Sequence, residues 1–99
     1  EDEDDNGDIN FPANLFSAFP NPFKEQVTIE VRLIQQTDVA IEIVNRLGQL
    51  TMSVVNATLA AGEYQYPINT SAWQNGIYYM QVRSRSSIPI WTQLVKVEN

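Results

Sequence analysis

The chain predicts an all-β fold, an antiparallel sandwich of about seven short strands, on three observations. Apolar residues recur at every second position from Leu15 onward. Clusters of Gly, Pro, Asn and Asp interrupt these runs at intervals of roughly ten residues. No stretch carries the helical spacing of about 3.6 residues that an amphipathic helix would show.

The elements follow in order. A short first strand is predicted from Leu15 to Phe19, closed by the two prolines of Phe19-Pro20-Asn21-Pro22-Phe23. Val27, Ile29, Val31 and Leu33 alternate with Thr28, Glu30 and Arg32, and Val39, Ile41 and Ile43 alternate with Ala40 and Glu42, so each run buries one face. After the turn Asn45-Arg46-Leu47-Gly48, the pattern resumes at Leu50, Met52 and Val54. Tyr64, Tyr66 and Ile68 form the next run, where Pro67 suits an edge strand or a bulge. Tyr78, Met80 and Val82 form another. The last run, Ile90 to Val97, is more continuously apolar, as in a strand covered on both sides or one whose outer face meets a partner. The connections are too short for parallel crossovers, so antiparallel pairing dominates and the architecture is immunoglobulin-like. The expected core comprises Val27, Ile29, Val31, Val39, Ile41, Ile43, Tyr64, Tyr78, Met80 and Val82.

The 99 residues suffice for one core and no more. The formal charge is −6, but six of the twelve acids fall within the first eight residues, and the chain from Ile9 to Asn99 is balanced. That balance offers no surface for nucleic acid and no basic membrane patch. No apolar run approaches the ~20 residues of a membrane helix, so membrane insertion is not expected. Residues 1–14 read as an acidic linker or the remnant of an upstream region, and residues 15–99 as the domain. Asp2, Asp4, Asn6, Gly7, Asp8 and Ile9 follow the spacing of a calcium loop, but Ala13 stands where its closing bidentate acid belongs. A spacer is the better reading. The absence of an initiator methionine, and an acidic start that is the opposite of a signal peptide's basic one, suggest a fragment of a longer protein, with whatever export signal existed lying upstream.

Catalysis has little to build on. Histidine and cysteine are both absent, which removes the usual general base, the thiolate nucleophile and the commonest zinc ligands. No cofactor is expected. Glu30 and Glu42 would lie outward on strands that could be neighbours, yet a glycosidase pair needs an apolar pocket to raise one acid, and solvated charges are the simpler reading. Trp73, Trp91, Tyr66 and Tyr79 could form a sugar-binding platform if exposed in a row on one sheet; aromatics at alternating strand positions are otherwise core or cross-strand pairs. Asn56-Ala57-Thr58 and Asn69-Thr70-Ser71 match the N-glycosylation triplet, a pattern that also arises by chance.

Six tracts in order resemble one known family. Phe19 to Phe23 (FPNPF) is similar to the "YPNPF" start of subfamily A of the C-terminal sorting domains of the type IX secretion system of Bacteroidota. VTIEVRL and VAIEIVNRLGQL resemble its second and third strands. AAGEY (60–64) resembles its "AGxY" tract, WQNGIYYMQV (73–82) its "LpxGxYxxxl" tract and TQLVKVEN (92–99) its closing segment. Trp73 stands where a leucine is common, and Gln93 where the family often has a lysine.

The resemblance implies a non-catalytic address tag that directs an N-terminal passenger through the periplasm and the outer membrane to the cell surface or medium. The implied partners are the outer-membrane translocon, a shuttle protein and a sortase that usually removes the tag. The suspected recognition residues are Gly62, Tyr64, Gly76, Tyr78, Leu94, Val95, Lys96 and Val97, with Pro20, Asn21 and Pro22 as the motif turn. Leu94 and Val95 could dock into a pocket, and Lys96 could offer a charge-assisted contact. Rival readings are a carbohydrate-binding module and a structural spacer of the kind found in flagellar hook-capping proteins.

Overall fold

The computed structural model describes residues 14–85 and 87–98. The acidic segment and its calcium-like spacing lie outside the described residues, apart from Asn14.

Among the described residues, seven strands form: β1 (Leu15–Phe19), β2 (Gln26–Leu33), β3 (Thr37–Asn45), β4 (Leu50–Leu59), β5 (Gly62–Asn69), β6 (Gly76–Ser84) and β7 (Ser87–Lys96). They pair antiparallel into a three-stranded sheet, β1-β2-β5, and a four-stranded sheet, β4-β3-β6-β7. The predicted runs all become strands, and β2, β3 and β6 each place an alternate apolar row against the other sheet, whereas Leu50 and Met52 of β4 are exposed and only Val54, Val55 and Leu59 of that strand pack against the core. β2 contributes Val27, Ile29, Val31 and Leu33; β3 contributes Val39, Ile41 and Ile43; β6 contributes Tyr78, Met80 and Val82. Ile68 and Leu94 complete the layer from the two strands that lie beside β2 and β6. Tyr64 is only half-buried and packs against this core from an edge strand. β5 is that edge, where the missing N–H of Pro67 is tolerated.

The β3–β4 hairpin shows how local chemistry sets register. Asn45 N–H donates to Gln49 O and Gly48 N–H donates to Asn45 O, each at 2.9 Å, while Asn45 Oδ1 accepts from the N–H groups of Leu47 and Gln49. Gly48 has φ +84°, the left-handed conformation that closes a three-residue hairpin loop with a bulge.

The 34–36 connection carries the chain from one sheet to the other, so β2 and β3 are not neighbours. The expectation that Glu30 and Glu42 could share adjacent strands therefore fails. The two outward faces belong to different sheets. Glu30 accepts from Ser17 Oγ at 3.4 Å, and Glu42 pairs with Arg83 at 3.4 Å.

Candidate recognition site

After β1, the chain crosses to the outer edge of β7 in the other sheet. Phe23 N–H donates to Val95 O, and Val97 N–H donates to Phe23 O, both at 2.9 Å, making a parallel bridge between Phe23 and Lys96. Pro20 and Pro22 have no N–H to offer. Asn21 supplies the missing partner from its side chain: Nδ2 donates to Gln93 O at 2.9 Å, and Oδ1 accepts from Val95 N–H at 3.0 Å. A primary amide carries the donor and acceptor of a peptide group, so it can stand in for one. The Asn21–Phe23 strap thus fills four outward main-chain groups of β7 and the residue after it: the carbonyls of Gln93 and Val95 and the N–H groups of Val95 and Val97. The Phe19–Pro20 and Asn21–Pro22 bonds are both cis.

The strap is anchored by Phe23, which is fully buried at this end of the sandwich. Its ring meets Trp73 edge-on at 6.0 Å and Tyr78 at 6.3 Å, and those two rings lie 5.0 Å apart. Thr70, also fully buried, holds the following residues: its N–H donates to Glu25 O at 2.8 Å and its hydroxyl to Lys24 O at 2.9 Å. Asn69 Oδ1 in turn accepts from Ser71 N–H and Ser71 Oγ, so the Asn69-Thr70-Ser71 triplet has a structural reason for each member.

The two Gly-x-Tyr tracts are the same device used twice. Gly62 opens β5 with φ +146° and Gly76 opens β6 with φ +140°, backbone that L side chains rarely adopt. Two residues later each tyrosine turns its hydroxyl back: Tyr64 donates to Ala60 O and Tyr78 to Gln74 O, both at 2.7 Å. This is the geometry of a tyrosine corner, known from immunoglobulin-type sandwiches. Burial raises the Tyr78 phenol above its ordinary value, partly opposed by the bond to Gln74. Tyr66 is raised by burial and by its neighbour Tyr64.

The registers divide the suspected recognition residues between two ends. Gly76 pairs with Lys96 and Tyr78 with Leu94, beside the strap, so Pro20, Asn21, Pro22, Gly76, Tyr78, Leu94, Val95, Lys96 and Val97 gather at one end. Gly62 pairs with Leu33 and Tyr64 with Val31, at the far end of β2, roughly 25 Å away by strand length. Lys96 does not reach outward as expected. It shares the inward face with Leu94, is 4% exposed, and its Nζ donates to Val97 O at 3.3 Å. Period two counted from Leu94 was the available signal. The edge of β7 is likewise less reachable than a terminal strand suggested, because the strap covers Gln93 to Val97. Phe23, Thr70 and the peptide-like role of Asn21 were missed, since none belongs to an alternating run.

The four aromatics do not form one exposed row on a single sheet. Trp73 packs with Phe23 and Tyr78, and Tyr66 packs against the core. Tyr79 and Trp91 meet edge-to-face at 6.5 Å on the outer face of the four-stranded sheet. A shallow groove of about 580 Å³ lies between the β3–β4 turn and the approach to β6, lined by Asn45, Arg46, Gln74 and Tyr78 among others. Its Asn45 amide, Gln74 carbonyl and Tyr78 hydroxyl are already bonded within the fold.

Known proteins place this geometry. No curated protein matches. Among solved structures, the crystal structure of dimeric latent PorU from Porphyromonas gingivalis superposes with a TM-score of 0.65 at 18% identity, over 94% of this chain and 10% of that one. This chain therefore spans about a tenth of that protein's length, and the likeness shows the fold. Residues 17–96 match the family described as the secretion system C-terminal sorting domain, whose members serve type IX secretion and are in general non-catalytic. The match runs from β1 to the last residue of β7, so the chain belongs to the family of secretion system C-terminal sorting domains.

Proposed function

We propose that residues 15–99 act as a non-catalytic tag that the outer-membrane translocon and its shuttle protein read at the strap end of the sandwich. The family match over residues 17–96 carries this reading, because its members mark a passenger for type IX export to the cell surface or beyond. The gathering of the PNPF and Gly76-x-Tyr78 motifs with Leu94 to Val97 supports recognition at that end. Gly62 and Tyr64 act there only indirectly, by holding the entry to β5. Residues 1–14 serve as the acidic link to the passenger, where a surface sortase cuts.

A reporter fused ahead of the domain tests the proposal in a host with a type IX system. The expected outcome is reporter at the surface or in the medium, and retention in the periplasm when the translocon is deleted. Equal surface display with and without the translocon would overturn it.

A further inference from the structure

Most asparagine side chains among the described residues are engaged. Asn21 and Asn45 each use both amide atoms, and the side-chain oxygens of Asn14 and Asn69 accept from main-chain N–H groups. Only Asn56 and Asn75, among the described residues, leave the amide without a hydrogen-bond partner. Asn56 sits within β4 and is followed by Ala57; Asn75 is exposed immediately before β6 and is followed by Gly76. No Cβ stands at Gly76 to keep its main-chain nitrogen away from the Asn75 side chain. The other Asn-Gly pair, Asn6-Gly7, lies outside the described residues.

We propose that Asn75 is a site of self-modification, where the Gly76 nitrogen displaces the side-chain amide and the resulting isoaspartate loosens the strap end of the sandwich. The reaction balances with water alone. The Gly76 nitrogen gives up its proton and bonds to Asn75 Cγ, closing a cyclic imide; the bond from Cγ to Nδ2 breaks, and Nδ2 leaves as ammonia with that proton. Water then opens the ring at either carbonyl. Opening at Cγ leaves aspartate in an unchanged main chain. Opening at the main-chain carbonyl leaves isoaspartate, whose chain runs through Cγ and is longer by a methylene.

The position of this change decides its effect. Val95 and Val97 give their N–H groups to the strap, so alternation along β7 turns the main-chain groups of Lys96 toward its register partner Gly76. That pair is the first of β6, and the reaction waits for it to fray, as end pairs do most readily. A methylene inserted there moves Gly76 off Lys96 and moves Gln74 O from the Tyr78 hydroxyl, which donates to it at 2.7 Å. Aspartate does neither, and its carboxylate would share the groove with Arg46, the one charged residue in the groove lining. The inference does not depend on the sorting reading, although the loosened end is the one proposed above to be read.

Storage of the full chain at mildly alkaline pH, followed by peptide mapping, tests the site. Asn6→Gln keeps the other Asn-Gly pair silent throughout. Amide loss at Asn75 should be on the order of tenfold faster than at Asn56, whose following residue carries a Cβ. It should be faster still when denaturant opens the fold, and an isoaspartyl methyltransferase should label the peptide that spans residue 75. Asn75→Gln should abolish that label. Loss at Asn75 no faster than at Asn56 would overturn the proposal. For the effect on the fold, Asn75→Asp should keep the Tm of the fresh chain, whereas the isoaspartate fraction should melt lower and exchange the Lys96 amide faster. An isoaspartate fraction that melts with the fresh chain, or an equal fall in Asn75→Asp, would show that the longer main chain does not loosen this end.

Discussion

The Thr70 hydroxyl, buried with a main-chain carbonyl as its partner, shows how much a single polar atom can hold. Thr70→Val keeps the shape but leaves Lys24 O without its donor, and should cost about 1–3 kcal/mol in denaturant unfolding. A second expectation concerns the phenols. Burial raises Tyr78 and Tyr66 above the ordinary value of 10.0, so the folded chain holds those protons more tightly than the unfolded one. That stabilisation is complete below pH 10 and is lost as pH rises through the raised values. Melting temperature should begin to fall near pH 10, and Tyr78→Phe should fall less steeply there. At this scale the sequence is only partly legible. Lys96 could have been turned inward by counting from Leu94, but nothing in a local pattern announces that an asparagine will replace a peptide group across 72 residues of chain.

Strands were the most legible elements, because a half-buried strand must alternate, and β2, β3 and β6 do so over their length. Ile41, fully buried in the middle of β3, should cost about 2–5 kcal/mol when cut back to Ala. The Gly-x-Tyr entries were legible as motifs but not as mechanism, since the tyrosine corner depends on where the hydroxyl lands. No atom lies within 4 Å of a Cβ built on Gly76, so Gly76→Ala tests backbone conformation without a clash. It should destabilise by about 1–3 kcal/mol, read from chemical unfolding. A loss no larger than that of an exposed surface substitution would show that β6 can enter its sheet another way.

For the molecule as a whole, the assignment of strands to sheets was the least legible feature. Three residues at 34–36 could close a hairpin or arch between sheets, and only the packing of both apolar rows decides for the arch. The β7 end can be separated from general stability in the reporter host. Ile41→Ala should leave export of the folded fraction intact, whereas deleting Lys96 to Asn99 should block export even where circular dichroism retains β-structure. Equal export at matched melting temperature would assign both effects to folding. The bonds from Asn21 to β7 span 72 and 74 residues, so they are among the last that a growing chain can make. A ribosome that stops before Gln93 leaves Phe23 with no strand to bridge and its ring without Leu94 in the same core. Closure of this end therefore waits for the last strand, and a chain cut short before Gln93 lacks the end at which we propose the tag is read.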